Sequence, residues 1–273
     1  MIIAPRSALF LPASNSRAIE KARSLDADMV ILDLEDAVPD ERKDEARAAA
    51  VAAVGKGFGD RMAAIRLNGP GTPWHEADLD ALRQSATTLV VTPKVETANE
   101  AASIAAALGK PVYAMIETPA GVLAASAIAA VRGVAGLIAG TNDLAHALRL
   151  SSGGRKGLAL ALQSIVLATR AAGGVALDGV WNRLDDPDGL AEECAEGRAF
   201  GFDGKTLIHP NQIAIANAAF GPSEAEVEDA RALVEAAVSG AVRFRGRMVE
   251  AMHVASAHAI LARASGKTGG TAL

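Results

Sequence analysis

The chain is short of several things on which whole classes of protein depend. Aromatic residues make up 3% of its 273 positions, too few for the stacking platforms that carry nucleobases. Basic side chains do not prevail either: 27 Lys and Arg face 32 Asp and Glu, and a net charge of -5 argues against nucleic acid or an anionic membrane as partner. One cysteine, Cys194, excludes an intrachain disulfide. The opening Met-Ile-Ile-Ala-Pro-Arg has no charged segment followed by an apolar signal core, so the expected compartment is the reducing cytoplasm. The longest uncharged apolar runs, Thr118 to Val131 and Gly157 to Thr169, fall short of the roughly 20 residues that cross a bilayer. No Gly-x-Gly-x-x-Gly follows the first strand pattern, and there is neither a P-loop nor a Gly-x-Ser-x-Gly elbow.

What is present is an alternation. Half of the residues are hydrophobic, enough for a full core. Short apolar runs predict strands near 8–11, 29–33, 62–67, 88–91, 112–116, 136–139, 175–179 and 206–208. Ala-rich amphipathic stretches of helical length lie between them. Eight βα units in about 210 residues predict an α/β fold, a TIM (β/α)8 barrel of parallel strands with a C-terminal helical extension. The expected division is a barrel over 1–220, an extension over 221–264 that packs on a neighbouring subunit, and a Gly-rich disordered tail over 265–273. The Gly-rich stretch Ser151 to Gly157 reads as a linker. His75, His146, His253 and His258 show no ligand spacing to one another, and Cys194 reads as a small buried hydrophobe.

In a barrel the chemistry gathers where strands end. Strand two ends Asp33-Leu-Glu35-Asp36, strand three Arg66-Leu-Asn68, strand four Thr92-Pro-Lys94, strand five Glu117-Thr118-Pro119, strand six Thr141-Asn142-Asp143 and strand seven Asp178; Lys205 and His209 bracket the eighth. Two carboxylates at about 4 Å repel by about 4 kcal/mol at an effective dielectric near 20, so such a ring calls for a cation. Oxygen ligands without a His pair or a second Cys suit Mg²⁺ or Mn²⁺, and Glu117 with Asp143 is the expected ligand pair. Arg66 reads either as a structural partner of Asp36 or as the planar fork that holds a substrate carboxylate.

The ordered series resembles the citrate lyase β-subunit family of CoA-ester carbon–carbon lyases, which includes malyl-CoA and citramalyl-CoA lyases. It is carried over nearly the whole chain by Arg6-Ser-Ala-Leu-Phe-Leu-Pro12, Arg17 with Lys21, Asp33-Leu-Glu-Asp-Ala-Val38, Ile65-Arg-Leu-Asn68, Pro93-Lys94, Ile116-Glu-Thr-Pro-Ala-Gly121, Gly140-Thr-Asn-Asp-Leu144 and Gly204-Lys-Thr-Leu-Ile-His-Pro-Asn-Gln212. The resemblance implies a homotrimer or hexamer that binds Mg²⁺ and a CoA thioester. It implies that Glu117 and Asp143 hold the metal, that Arg66 and Glu117 touch the oxo-acid half, and that Glu35 and Asp36 order metal-bound water and Arg66. Arg6, Arg17 and Lys21 fall on the implied CoA side, with the Lys205 to His209 stretch beside the pantetheine arm. Glu250 matches an acid/base contributed by a neighbouring subunit, where the family often has Asp. The implied reaction splits a 3-hydroxyacyl-CoA such as citryl-, malyl- or citramalyl-CoA into a short acyl-CoA and a 2-oxo acid. Thioester hydrolysis, a free-acid metal-dependent aldolase, and a citrate lyase subunit served by an acyl-carrier partner are the alternatives.

Overall fold

A computed structural model describes residues 4–151, 155–238 and 243–265. Eight parallel strands close into a barrel in sequence order: β1 (Ser7–Pro12), β2 (Met29–Asp33), β3 (Met62–Arg66), β4 (Leu89–Thr92), β5 (Val112–Ile116), β6 (Val134–Ala139), β7 (Val175–Asp178) and β8 (Gly204–Leu207). β1 closes on β8 through the pairs Ser7–Lys205, Ala8–Thr206 and Leu9–Leu207. The fold is the TIM barrel that the alternation predicts.

Helices cover the outside: α1 (Ser16–Ala22), α2 (Lys43–Lys56), α3 (His75–Gln84), α4 (Ala98–Leu108), α5 (Pro119–Ala129), α6 (Thr141–Ala147), α7 (Ala159–Ala171), α8 (Pro187–Phe200) and α9 (Ile213–Phe220). Because helices cover one face and barrel side chains the other, β2, β5, β7 and β8 are buried along their whole length. Burying each large aliphatic side chain there contributes about 1.5–3 kcal/mol.

α6 and α9 were not anticipated. α6 is seven residues with Asp143 in its first turn, too short for a periodic apolar stripe to show. The barrel, Pro5 to Asn217, is one compact unit, and a second gathers the chain from Ala218 onward. In the second, α10 (Glu224–Val238) packs on α11 (Ala251–Ala264), and between them β9 (Arg243–Phe244) pairs antiparallel with β10 (Arg247–Met248). The hairpin turn puts Arg245 and Gly246 at φ 46° and 80°, the doubly left-handed turn that matches strand twist. All but Ser265 of the tail expected to be disordered, 265–273, lies outside the described residues, as do 152–154 of the expected linker.

Candidate active site

The strand ends deliver their charges to one rim. Asp33 and Arg66 are paired in register at the ends of β2 and β3, and their side chains meet bidentately: Arg66 Nε donates to Asp33 Oδ1 and Nη2 to Oδ2, both at 2.6 Å. Asp33 is fully used. Its Oδ1 also accepts from the Glu35 N–H and its Oδ2 from the Ala37 N–H, which folds the acidic turn after β2. Lys43, buried on α2, clamps that turn from behind by donating to the carbonyls of Leu34 and Glu35 and to Asn68 Oδ1.

Arg66 thus spends the Nε side of its fork within the protein and turns Nη1 toward Glu35 Oε2 at 2.8 Å and Asp36 Oδ2 at 3.5 Å. Its expected structural partner, Asp36, is the weaker contact; Asp33 is the stronger, a residue the sequence reading quoted but gave no role. Burial pulls the guanidinium down, but the charge and hydrogen bonds of Asp33, with Glu35 and Asp36, hold it above its ordinary value. It is a permanent cation. Glu35 goes the other way: burial raises its carboxyl, against the pull of Arg66 and Lys94. Glu35 Oε2 is buried and off the N–H directions of Arg66, so it has an ionic neighbour but no hydrogen bond.

Glu117 follows β5 in a segment whose every residue has a local reason. Thr118 caps α5 by accepting from the Gly121 N–H, Pro119 occupies the first turn where no N–H is needed, and a Cβ on Gly121 would fall 2.6 Å from the Val95 carbonyl. Ile116 and Ala139 are paired, which places Gly140 beside Glu117. A Cβ at Gly140 would sit 2.2 Å from Glu117 Cβ and 2.4 Å from its Oε2, so only glycine leaves room for this carboxylate.

Glu117 Oε1 accepts from the Lys94 N–H at 2.7 Å, and Oε2 has no protein donor among the described residues. Burial first, then the charge of Glu35 and less so that of Asp143, pushes the Glu117 carboxyl up to about 7, against the Lys94 N–H and Arg66. Asp143, half-buried on α6, makes no ion pair or hydrogen bond among the described residues. Two carboxylates that feel each other's charge, with no Lys or Arg among the described residues in ion-pair range of either, fit a divalent ion. No group of three His, Cys, Asp or Glu side chains among the described residues is placed to hold a metal ion together, so water and substrate oxygens would complete the shell.

Not every expected residue reaches this rim. Arg6 precedes β1, at the opposite end of the strands, and is spent on Asp28, with Nε–Oδ2 at 2.8 Å and Nη2–Oδ1 at 2.7 Å. It is therefore removed from the CoA side: a six-residue strand, about 20 Å long, separates it from the chemistry. Arg17 and Lys21 are exposed on α1 four residues apart, on one face. Arg17 lines a surface depression of about 440 Å³ together with Pro12, Asn15, Ala37 and Arg42, at the rim end of β1.

Lys205 is also elsewhere. Its fully buried ammonium lies 3.1 Å from Asp178 Oδ2 and 2.6 Å from Glu193 Oε1 on α8, and Arg155 reaches Asp178 at 2.9 Å. This is an ion network joining the barrel to its helices, so Lys205 leaves the rim set. Glu250 belongs to the second unit, exposed just before α11, where its N–H donates to His253 Nδ1 at 3.0 Å. His75 is buried with Nδ1 2.8 Å from the Asn68 carbonyl, and Cys194 is buried with its thiol pushed up to about 11 by burial. Cys194 is thus the small buried residue that its sequence context predicts.

The family described as HpcH/HpaI aldolase/citrate lyase matches residues 6–210. A (3S)-malyl-CoA thioesterase of Cereibacter sphaeroides is 42% identical over 95% of this chain and 94% of its own length. A citrate lyase subunit beta-like protein of Deinococcus radiodurans is 37% identical over 94% and 96%. Among solved structures, the protein CitE of Mycobacterium tuberculosis in complex with magnesium, acetoacetate and coenzyme A superimposes with a TM-score of 0.83 at 34% identity, covering 96% of this chain and 98% of that one.

Proposed function

The chain belongs to the HpcH/HpaI aldolase/citrate lyase family, and on that premise we propose that it is a magnesium-dependent enzyme that breaks, or in reverse forms, the carbon–carbon bond of a 3-hydroxyacyl-CoA carrying a carboxylate on its hydroxyl carbon. The products are a short acyl-CoA and a 2-oxo acid. The observation that carries this reading is the Glu117 and Asp143 pair, without an ion-paired Lys or Arg among the described residues, beside a guanidinium locked in place by Asp33. The magnesium and coenzyme A of the mycobacterial relative support it.

Glu117 and Asp143 are the proposed ligands. Magnesium held there would supply positive charge to the oxo-acid carboxylate and to the oxygen that becomes the ketone. Nη1, the nitrogen of Arg66 that Asp33 does not hold, is the proposed contact for that same carboxylate, and the two bonds to Asp33 keep the guanidinium from rotating away. Glu35, which accepts from Lys94, and Asp36, which accepts from Arg66, are the proposed groups that order the water at the rim. In the cleavage direction the hydroxyl loses its proton, the bond between the hydroxyl carbon and the carbon next to the thioester breaks, and its electron pair becomes the thioester enolate. Protonation of that carbon completes the acyl-CoA, so no net proton is consumed. Glu250, from the second unit of a neighbouring copy in a trimer or hexamer, is the proposed donor. Arg17 and Lys21 are the proposed contacts for the CoA phosphates.

Thioester hydrolysis is the second reading, favoured by the 42% identity to a malyl-CoA thioesterase. Water attacking the thioester carbon would release CoA thiol and leave the hydroxy acid whole. The purified protein with Mg²⁺ and citryl-, malyl-, citramalyl- and methylmalyl-CoA separates the two when esters and free thiol are followed by mass spectrometry. Acetyl- or propionyl-CoA with a 2-oxo acid establishes cleavage; free CoA with an intact hydroxy acid establishes hydrolysis. No turnover of any of them, with turnover of free hydroxy-oxo acids or of esters on an acyl carrier, would overturn both.

A further inference from the structure

Of the three described non-glycine residues with left-handed backbone, Lys94 alone follows a strand of the barrel, at φ 53°. A side chain in that region strains the backbone, and such outliers persist where the surroundings hold them. Here the N–H is what is held, donating to Glu117 Oε1. The same residue turns its ammonium to the other side of the rim, 2.9 Å from Glu35 Oε1 and 4.0 Å from Asp36 Oδ1, with nearly half of the side chain exposed. One lysine therefore contacts both halves of the acidic ring: the turn after β2 through its charge, and the end of β5 through its backbone.

The ring holds five carboxylates, Asp33, Glu35, Asp36, Glu117 and Asp143, against two cations, Arg66 and Lys94. Arg66 neutralises Asp33 and is shared by Glu35 and Asp36. Without the Lys94 ammonium, Glu35 and Asp36 would turn surplus negative charge toward the same space as Glu117 and Asp143. Resting on the magnesium reading above, we propose that Lys94 is the rim's built-in counter-cation, a positioning residue that keeps Glu35 and Asp36 engaged so that Glu117 and Asp143 alone present oxygens to one divalent ion. Its charge also favours the anionic oxo acid at the same rim. The consequence is a trade: Lys94 weakens metal binding and strengthens substrate binding.

Titration calorimetry with MgCl₂, and separately with pyruvate at saturating Mg²⁺, tests this on the full chain. Lys94→Met is expected to bind Mg²⁺ about tenfold tighter, or to take up a second equivalent, while binding pyruvate about tenfold more weakly, the order that one nearby unit charge commands. Lys94→Gly removes the same charge, keeps the N–H and relaxes the backbone, so it must shift both ligands as Lys94→Met does; Lys94→Arg is expected to stay near wild type. A lysine that merely props Glu117 in place predicts that Mg²⁺ binding weakens on its removal, and that result overturns the proposal. So does tightening in Lys94→Gly alone, which would assign the effect to backbone strain. A wild-type chain that takes up no Mg²⁺ overturns the underlying reading, and the proposal with it.

Discussion

A single carboxyl group, that of Glu117, carries a pH dependence of its own. A carboxylic acid whose pKa is raised by folding holds its proton more tightly in the folded state, so it favours folding below its unfolded value near 4.5 and opposes folding as pH rises. Metal-free protein should therefore lose stability between pH 4.5 and about 7, by at most about 3 kcal/mol, and Glu117→Gln should flatten that decline. Thermal melts across this range, with a chelator present, check it; a wild-type curve parallel to that of Glu117→Gln would contradict it. Gly140→Ala should be as harmful as removing the carboxylate, because the new methyl must displace Glu117. Metal affinity should fall at least tenfold and stability by about 1–3 kcal/mol, as overpacking commonly costs. Glu117, Asp143 and Arg66 were legible as candidates because charge recurs at several strand ends of one barrel rim. Asp33 and Gly140 could not be assigned roles: one acts through another side chain, and the other through the atoms it lacks. Arg6 misled because its motif runs into a strand, and a motif does not say at which end of the strand its charge will lie.

Between elements, the ties are charges placed in register. Asp33 and Arg66 join β2 to β3, and Asp178 and Lys205 join β7 to β8. Each pair is buried, so removing one partner strands the other. Asp33→Ala and Lys205→Met should each lower unfolding free energy by about 3–5 kcal/mol in urea titrations, and restoring neither charge, as in Asp33→Ala with Arg66→Met, should cost less than the sum. Simple additivity in that cycle would mean that the pair is not coupled. The strand and helix alternation was legible because β-branched runs and Ala-rich stretches differ in period. α6 escaped because seven residues hold barely two turns, and the β9–β10 hairpin because two-residue strands carry no alternation.

At the scale of the whole molecule, the proposed acid/base and the proposed metal pair lie in different compact units of one chain. If Glu250 serves a neighbouring copy, Glu250→Gln and Arg66→Lys proteins, each reduced at least a hundredfold in kcat, should regain activity when unfolded and refolded together, because a mixed assembly contains one complete site. Assays of the mixture against either parent check this; no regain would place donor and rim in one chain or remove Glu250 from the reaction. The barrel's closure has one more consequence, which concerns time. Asp33 and Arg66 are 33 residues apart and can meet early, whereas Ser7 must wait for Lys205. At the roughly 5–20 residues per second of protein synthesis, β1 spends about 10–40 s outside the ribosome before β8 exists to pair with it. For that interval the nascent chain carries a buried-type strand with one bare edge, so the burden of chaperoning this protein falls on its first strand, before any of the chemistry is assembled.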